Sequence, residues 1–533
     1  MIKKYINISY ILYFCIFSTS LFFIYPSIYE FVSVITSRIS LPYDIEWEEG
    51  MMLTSAYVLK TTGNLYPPPS FDFIPSLYAP IYFYILKFSF LFENYYLVAR
   101  LLSLFSYIMA GFFFSLVIRS RFSNFLALLS FSMIFSFFGL SGYWFDLIRV
   151  DGFHIFFISS LLYTQTKFNP SIFQVVTVTI IFLISVFTKQ SAIILFPIIV
   201  FYYILFQKYK LAFIQLLSFL VAIFFIITYL QFKTDGYFFK YTWILGNTHS
   251  YIAETITQSI KLFYGITKIQ IKYINISLLG ITIVYLLLLK VFLVNIIKGK
   301  RCSRKKIIDF YLISFSFSLI LISTLLSIHK GSSYNNSIPL LFSLFIIIPY
   351  NIHYFFLILK RFKKIQYLKI YYKVLSVIIF SYCIHANYHS SLKKILPNPI
   401  LSSIKRIEVN KFLKLLGNCQ GNQFSDIISI SALTGWKQKY NYHSMSLSDL
   451  RNYPFLKDIY EKSKPETRLK QYQILYKAKP EKVEGYTSFN LNTFGINPFY
   501  LAPLTGAMIY PQFIYIKNEF VDSYKKSGFK NTR

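Results

Sequence analysis

The chain has 533 residues, of which 55% are hydrophobic and 20% aromatic, whereas only 14% are charged. This composition excludes an ordinary soluble domain, which does not bury so large an apolar fraction, and it indicates a polytopic membrane protein. The formal net charge of +32 does not indicate nucleic-acid binding, because Lys and Arg lie mostly in short clusters between apolar runs, where they fix topology and contact membrane lipids.

The N-terminal segment is predicted to be a retained membrane span. Lys3 and Lys4 are followed by a long apolar run without a small-residue cleavage site, so the segment does not read as a signal peptide. The positive-inside rule places both lysines in the cytoplasm, and the chain then emerges on the outer face. We therefore expect a multi-pass protein of the cytoplasmic (inner) membrane with a cytoplasmic N-terminus.

Apolar runs and basic clusters alternate along the chain and predict about 11 spans. The predicted spans are residues 7–27, 97–118, 123–141, 151–166, 171–188, 190–206, 211–230, 275–297, 308–328, 338–358 and 372–388. The apolar stretch 77–92 is short and contains Pro80 and Lys87. If it crossed, Arg119 and Arg121 would lie outside, so it is predicted to be a juxtamembrane or re-entrant helix on the outer face.

Composition divides the chain into two parts. Residues 1–390 are predicted to form the transmembrane module, with a first outer loop at 28–96. In residues 391–533 the apolar runs shorten, and the stretches 426–431, 472–478 and 512–517 have the character of short strands. The fold class is thus a polytopic α-helical membrane protein with outer-face juxtamembrane helices and a small C-terminal extracytoplasmic α/β domain.

The first outer loop holds an unusual density of carboxylates, namely Asp44, Glu46, Glu48 and Glu49. Carboxylates suit a general base or a divalent metal, for which Asp44 and Glu46 are the candidates. Two structural alternatives stand beside this interpretation. Asp44 and Glu48 are equally explained as solvated loop acids, and Glu46 and Glu49 as acids that favour a helix N-terminus.

Further polar residues lie at span ends on the same predicted face. Ionisable residues at such positions are costly unless they face a cavity or pair, so a one-sided collection indicates a site at the outer membrane boundary. Arg and Lys in that set suit a phosphate. The alternatives are that Arg149 pairs with Asp151 across a turn and that Lys189 is an interfacial lysine whose head group reaches the aqueous phase.

The ordered segments "DIEWEEG", "GNLYPPPSFDFIPSLYAPIY", "ARLLS", "RVDGFHIFF" and "FTKQSAIILFP" span roughly residues 41–200. In this order, and with the first loop outside, they resemble the bacterial membrane glycosyltransferases of the GT-C superfamily, relatives of protein O-mannosyltransferases and of the lipid A aminoarabinose transferase. A weaker similarity follows in "GSSYNNSIPLLF". The set is specific for the superfamily and uninformative about the substrate.

The resemblance implies a hexosyl- or pentosyltransferase that takes a sugar from a polyprenyl-phosphate donor and inverts the anomeric centre. The acceptor would be an extracytoplasmic glycan, lipid or protein. The residues implied are the acids Asp44, Glu46 and Glu49, the donor-phosphate ligands Arg100, Arg149, Lys189 and Lys330, and the pocket residues Tyr78, Asp151, Gln190 and Asn335.

One departure leaves the base open. Many members of the superfamily have two adjacent acids near the end of the first span, whereas Ile45 separates Asp44 from Glu46 in this chain. Glu48 is interpreted as a bystander. Two other functions are also compatible with the residues: a carrier or flippase for a lipid-linked sugar, and a non-catalytic assembly protein whose working part is the C-terminal domain.

Overall fold

The structure is a computed structural model that describes residues 25–46, 48–68, 73–245, 303–327 and 334–361. It also describes short C-terminal pieces at 407–408, 410–411, 423–425, 442–443, 474–477, 486–490 and 513–522. The helices among them are α1 (25–38), α2 (Glu49–Thr62), α3 (Ile81–Leu86), α4 (Tyr95–Arg121), α5 (Asn124–Leu140), α6 (Val150–Lys167), α7 (Ile172–Val186), α8 (Phe196–Leu205), α9 (Tyr209–Lys233), α10 (Tyr237–Phe239), α11 (Arg304–Ser327) and α12 (Ile338–Arg361).

Shorter helical turns extend or precede several of these helices. The 3-10 turns are Lys87–Leu91 after α3, Gln190–Leu195 before α8, Tyr334–Ser337 before α12 and Asn518–Phe520 near the C-terminus; a π-helical turn, Lys240–Leu245, follows α10.

Three helices begin at residues whose side chains accept otherwise unpaired first-turn amides. Asn94 before α4, Ser123 before α5 and Ser171 before α7 each accept the amide three positions later, at 3.0, 3.3 and 3.2 Å. Helix α2 ends at Gly63, whose φ of +74° carries little cost for a residue without a Cβ. Local sequence therefore defines these helix ends.

Four helical segments of the described part are long and apolar enough to cross a membrane: Tyr95–Arg121, Tyr209–Lys233, Arg304–Leu326 and Asn335–Tyr354. The apolar side chains of α9 are largely exposed, with Phe232 at 82%, so this helix lies at the periphery of the bundle. At one end of the bundle, Arg121 of α4 forms an ion pair with Asp309 of α11, and Tyr350 of α12 donates to the same carboxylate at 2.6 Å.

Eight predicted spans coincide with helices of the structure. The stretches from 97–118 to 211–230 correspond to α4 through α9, while 308–328 and 338–358 correspond to α11 and α12. The predicted spans 275–297 and 372–388 lie outside the described residues, so the total of about 11 stays a prediction.

The helix of the first predicted span does not end at residue 27, where that span was predicted to end. Helix α1 continues to residue 38, through two charged residues that the sequence interpretation assigned to the loop. Both charges have buried partners: Glu30 accepts the Tyr143 hydroxyl at 2.6 Å, and Arg38 pairs with Asp146. Because the charges are compensated, they do not end the helix.

The apolar stretch 77–92 forms a short helix, which we call the surface helix (residues 81–91, comprising α3 and the 3-10 turn Lys87–Leu91). Eleven helical residues are too few to cross ~30 Å of hydrocarbon. The Ile81 amide donates to the Phe187 carbonyl at 3.0 Å, which ties the start of the surface helix to the end of α7.

Helices α4 and α6 pack closely at Gly152. A Cβ added there would lie 2.8 Å from the Tyr107 ring and 3.0 Å from the Ser103 carbonyl oxygen. The Tyr107 ring in turn stacks on Phe145 with centroids 4.2 Å apart. This approach holds the first turn of α6, and the charged residues on it, against α4.

The strands of the described residues form two small sheets. The strands are β1 (Phe73–Ile74), β2 (Gln423–Ser425), β3 (Tyr442–His443), β4 (Ile474–Lys477), β5 (Tyr486–Asn490) and β6 (Phe513–Lys517). One sheet has the order β2-β4-β6-β5, with β2 and β4 parallel and the other pairs antiparallel. The second is the parallel pair β1-β3, which joins the first outer loop to the C-terminal part.

Two predicted strands, 472–478 and 512–517, contain β4 and β6. The third, 426–431, lies outside the described residues. The division into domains at residue 390 stays a prediction.

We predict that Gly152→Ala lowers the thermal unfolding midpoint of the purified protein in detergent. Overpacking a closely packed contact costs about 1–3 kcal/mol, and here the neighbours include backbone. The matched control is Gly139→Ala on α5, whose added Cβ would have no neighbour closer than 3.8 Å. Equal midpoints for the two variants would contradict the close α4–α6 contact.

Candidate active site

The acid-rich loop that follows α1 is folded around one buried ion pair, Glu49 with Arg100. Glu49 opens α2 and Arg100 lies in the second turn of α4; both side chains are fully buried. Arg100 donates to Glu49 through Nε at 3.0 Å and through Nη2 at 2.8 Å. It also donates to the carbonyls of Leu41 and Tyr43 at 2.5 and 2.6 Å. The guanidinium thus organises the loop backbone as well as its acid.

The Glu49 carboxylate also accepts hydrogen bonds from backbone amides. Its Oε2 accepts the Ile45 amide at 2.6 Å, and its Oε1 accepts the Ile148 amide at 3.0 Å. The second bond comes from the segment between α5 and α6, so one carboxylate joins α2, α4 and the approach to α6. With no exposed surface, Glu49 and Arg100 have the geometry of a structural pair.

A second buried pair, Arg38 with Asp146, lies beside the first. Arg38 Nε donates to Asp146 Oδ2 at 2.8 Å, and its Nη2 contacts both Oδ1 and the Tyr143 carbonyl. Tyr143 has a φ of +64°, a left-handed backbone that is uncommon for a non-glycine residue. The pair holds the outer end of α1 against this turn.

Arg149 is the centre of the remaining charges. It precedes α6 in an extended backbone conformation and is 2% exposed. Its Nη1 forms ion pairs with Glu46, at 3.5 Å, and with Glu48, and its Nε lies 3.8 Å from Asp151 Oδ2. The guanidinium stacks over the Trp144 ring, 4.8 Å from the centroid. Three carboxylates therefore surround one cation.

Asp151 links Arg149 to Lys189. Asp151 lies in the first turn of α6, where the helix dipole favours an acid. Lys189 Nζ donates to Asp151 Oδ1 at 2.5 Å, and Asn335 Nδ2 lies 3.5 Å from Oδ2. Residues from α6, from the segment after α7 and from the turn before α12 thus converge on one carboxylate.

Asp44 is held apart from this group of charges. It accepts the Tyr96 hydroxyl at 2.6 Å and is 4% exposed. The Tyr96 ring also lies against the Arg100 guanidinium, at 5.1 Å. Tyr96 therefore connects Asp44 to the Glu49–Arg100 pair.

Two predicted pocket residues border the group. The Tyr78 hydroxyl accepts from Arg149 Nη2 at 3.4 Å. Gln190 Nε2 donates to the carbonyls of Leu77 and Thr242, at 2.8 and 3.1 Å, and so fixes the segment that precedes the surface helix. Lys330, the fourth predicted phosphate ligand, lies outside the described residues.

Glu46 has unusual electrostatics for a loop acid. Burial raises its pKa to about 7, and the nearby Glu49 adds to the increase, while Arg149 opposes it. Close to neutral pH this carboxyl exchanges a proton readily, which is the property that a general base needs. Glu46 also accepts the Glu48 amide at 3.1 Å, so its position is fixed.

The structure brings together most of the residues chosen from sequence. Glu46, Arg149, Asp151, Lys189, Asn335 and Tyr78 form one connected group, whereas Arg100 and Glu49 bind each other. Glu48 also contacts Arg149, and its interpretation as a bystander in the chemistry stays a prediction.

Sequence reasoning missed Arg38, Tyr96 and Trp144. A signal for Arg38 existed, because it is the only basic residue between Lys4 and Lys60. A lone cation beyond the outer end of the first span contravenes the positive-inside preference and therefore needs a buried partner. No comparable signal marks Tyr96 or Trp144 in so aromatic a chain.

The two candidate metal ligands do not converge. Asp44 is bonded to Tyr96, whereas Glu46 faces Arg149. Within the described residues there is no group of three or more His, Cys, Asp or Glu side chains placed to hold a metal ion. The divalent metal at Asp44 and Glu46 stays a prediction.

No protein-family model and no curated protein sequence matches the chain. Among solved structures, the chain is similar to ArnT from Cupriavidus metallidurans bound to undecaprenyl phosphate, with 10% identity and a TM-score of 0.48 over 77% of this chain and 84% of that one. The apo state of ArnT gives 11% identity and a TM-score of 0.47 over the same shares.

The chain is also similar to an oligosaccharyltransferase from Archaeoglobus fulgidus tethered to an acceptor peptide, with 8% identity and a TM-score of 0.44 over 86% of this chain and 69% of that one. Both neighbours are GT-C membrane glycosyltransferases, and ArnT is the lipid A aminoarabinose transferase. All three TM-scores lie below 0.5, so they do not assign the chain to a family.

We predict that Glu49→Gln lowers the thermal unfolding midpoint much more than Glu48→Gln. The first change leaves Arg100 buried without its counter-charge, and breaking a buried pair costs about 3–5 kcal/mol. In the second variant Arg149 keeps Glu46 and Asp151. Similar midpoints in detergent for both variants would show that Glu49 does not have the structural role described here.

Proposed function

We propose that the chain is a membrane glycosyltransferase that moves a sugar from a polyprenyl-phosphate donor to an extracytoplasmic acceptor, with inversion. The observation that carries the proposal is the connected group in which Glu46 contacts Arg149, and Arg149 and Lys189 share Asp151. It combines a poised base with two fixed cations. Those are the two requirements of transfer from a phosphate leaving group.

The donor phosphate is assigned to Arg149 and Lys189. Both side chains are nearly buried and each is held by Asp151, so their positions are set before a ligand arrives. Cations that are fixed in this way stabilise the charge that develops on the departing phosphate and need little reorganisation. Arg100 is withdrawn from the set of phosphate ligands because Glu49 and loop carbonyls occupy its donors. Lys330 remains a candidate.

The general base is assigned to Glu46, with Asp44 as the second candidate. In the reaction the acceptor oxygen bonds to the anomeric carbon from the side opposite the phosphate, and the bond from that carbon to the phosphate oxygen breaks. The polyprenyl phosphate leaves with the bonding electron pair, and the acceptor proton passes to the carboxylate. Attack from the opposite side gives inversion. No step requires a metal ion.

The remaining parts of the proposal concern topology. The chain is proposed to lie in the cytoplasmic (inner) membrane with about 11 spans, a cytoplasmic N-terminus and residues 391–533 outside. The support is the alternation of basic clusters and the short length of the surface helix. The sugar is a hexose or pentose, and the acceptor is a glycan, lipid or protein.

We predict that Glu46→Gln lowers sugar transfer about 10²- to 10⁴-fold, the range for loss of a general base. Lys189→Met should lower it about 10²- to 10³-fold through loss of a fixed charge. The measurement is transfer of labelled sugar from a polyprenyl-phosphate donor in membranes, at equal protein levels. Lys210→Met, an exposed lysine at the start of α9, is the control and should retain full activity.

Unchanged transfer in Glu46→Gln, Asp44→Asn and Lys189→Met would refute the assigned site. If labelled donor crosses the membrane without any transfer of its sugar, the chain is instead a carrier or flippase for the lipid-linked sugar.

We predict that the rate of transfer rises with pH and levels off above about 7. The base must be deprotonated to accept a proton, and the pKa of Glu46 is raised to about 7 by burial. Glu46→Gln should remove this rise and leave a flat, low profile between pH 5 and 8, because nothing in the substituted side chain titrates there. If the rate of transfer in Glu46→Gln still rises with pH as in the wild type, the base is another group, and Asp44 is the next candidate.

A further inference from the structure

Three lysines from three separate elements converge on the surface helix. Lys60 lies in the last turn of α2, Lys87 is part of the surface helix, and Lys233 is the last residue of α9. Lys60 Nζ donates to the Phe90 carbonyl at 3.3 Å and lies 5.6 Å from the Phe90 ring centroid. None of these contacts involves the residues assigned to sugar transfer.

The other two lysines also lie against tyrosine rings. Lys87 Nζ lies 5.2 Å from the Tyr84 ring centroid, and Lys233 Nζ lies 5.9 Å from the Tyr229 ring centroid. The last turns of α9 and Tyr84 of the surface helix belong to the same apolar cluster. Each stem thus lies along an aromatic ring while the charge stays at the surface. Lys60 and Lys233 are exposed, and Lys87 is half-buried.

Among the described residues, no acid forms an ion pair with any of these three lysines. Glu93 and Asp235 are the acids next to these segments in the chain, and both are exposed. Within the part of the chain that the structure describes, neither forms an ion pair with Lys60, Lys87 or Lys233. The patch is therefore positive and complementary to an external anion.

The same helix presents large apolar side chains to the surroundings. Phe88 is 57% exposed and Leu91 72% exposed, and Phe92, which follows, is 56% exposed. Exposed apolar residues beside lysines are typical of a helix that lies in the interface between headgroups and acyl chains. The hydrogen bond from Ile81 to Phe187 puts this helix at the same end of α7 as Lys189.

We propose that Lys60, Lys87 and Lys233 form a docking surface for the phosphate headgroups of anionic phospholipids, with Phe88, Leu91 and Phe92 in the acyl region. Positive charge is disfavoured on the outer face, where the proposed topology places this helix, so three lysines without an acid partner in the described part of the chain need a compensating partner. The bilayer supplies one within reach of the aromatic rings. This docking surface seats the surface helix in the membrane; it rests on the topology proposed above, but not on the residues assigned to sugar transfer.

The test uses the full chain in nanodiscs that contain either phosphatidylcholine alone or a mixture with phosphatidylglycerol, and native mass spectrometry counts the lipids retained. The wild type should retain phosphatidylglycerol in preference to phosphatidylcholine. Each Lys→Gln change should reduce that preference about fivefold, since a lysine near an anionic surface contributes about 1 kcal/mol. The preference should also fall as salt is raised from 0.1 to 1 M, where screening shortens from about 10 to 3 Å.

The matched control is the triple variant Lys60→Arg, Lys87→Arg and Lys233→Arg, which keeps charge and ring contact and should keep the preference. Equal retention by the wild type and by the triple Lys→Gln variant, when both elute as folded protein, would overturn the proposal. So would a patch-dependent preference for polyprenyl phosphate over phosphatidylglycerol, which would make the surface a donor site.

Discussion

The buried contact between Glu49 and Arg100 is the constraint on which the site depends. Each partner alone would be an uncompensated charge in a protein interior, where the desolvation penalty is several kcal/mol. Together they neutralise each other and accept or donate bonds to the backbone on both sides of the acid-rich loop. The loop conformation therefore follows from satisfying one ion pair. Asp44 and Glu46 take their positions from that loop.

The charges around Arg149 and Lys189 are held in a different way from those of the Glu49–Arg100 pair. Arg149 and Lys189 are compensated by carboxylates at distances from 2.5 to 3.8 Å, and they make fewer hydrogen bonds to the backbone than Glu49 and Arg100 do. If a phosphate displaced Asp151 or bound beside it, Arg149 and Lys189 would already be oriented. The Glu49–Arg100 pair thus fixes the geometry of the loop, whereas Arg149 and Lys189 are the cations that we propose as ligands of the donor phosphate. Acids only a few residues apart in sequence therefore have different partners.

Much of the architecture followed from the sequence, because apolar length and the placement of Lys and Arg are strong signals in a membrane. Eight predicted spans are helices, and the stretch 77–92 is too short to cross. The end of α1 was missed because charges at Glu30 and Arg38 read as loop residues when their partners, Tyr143 and Asp146, are more than 100 positions away. The partners of the acids were missed for the same reason. Which carboxylate Arg100 or Arg149 binds is decided by tertiary packing, and spacing along the chain does not reveal it.

The hydrogen bond from the Ile148 amide to Glu49 has a consequence for biogenesis. The two residues are 99 positions apart, so the carboxylate has its full set of partners only after the chain through the beginning of α6 has been synthesised and inserted. Until then the acid-rich loop emerges as an unsatisfied, strongly anionic segment at the membrane surface. The surroundings of Glu49 are thus complete at an identifiable moment of cotranslational assembly, whereas Lys189 and Asn335 reach Asp151 only later. A ribosome-bound chain that stops before α6 would expose this loop to chaperones and proteases, whereas a longer one would shield it.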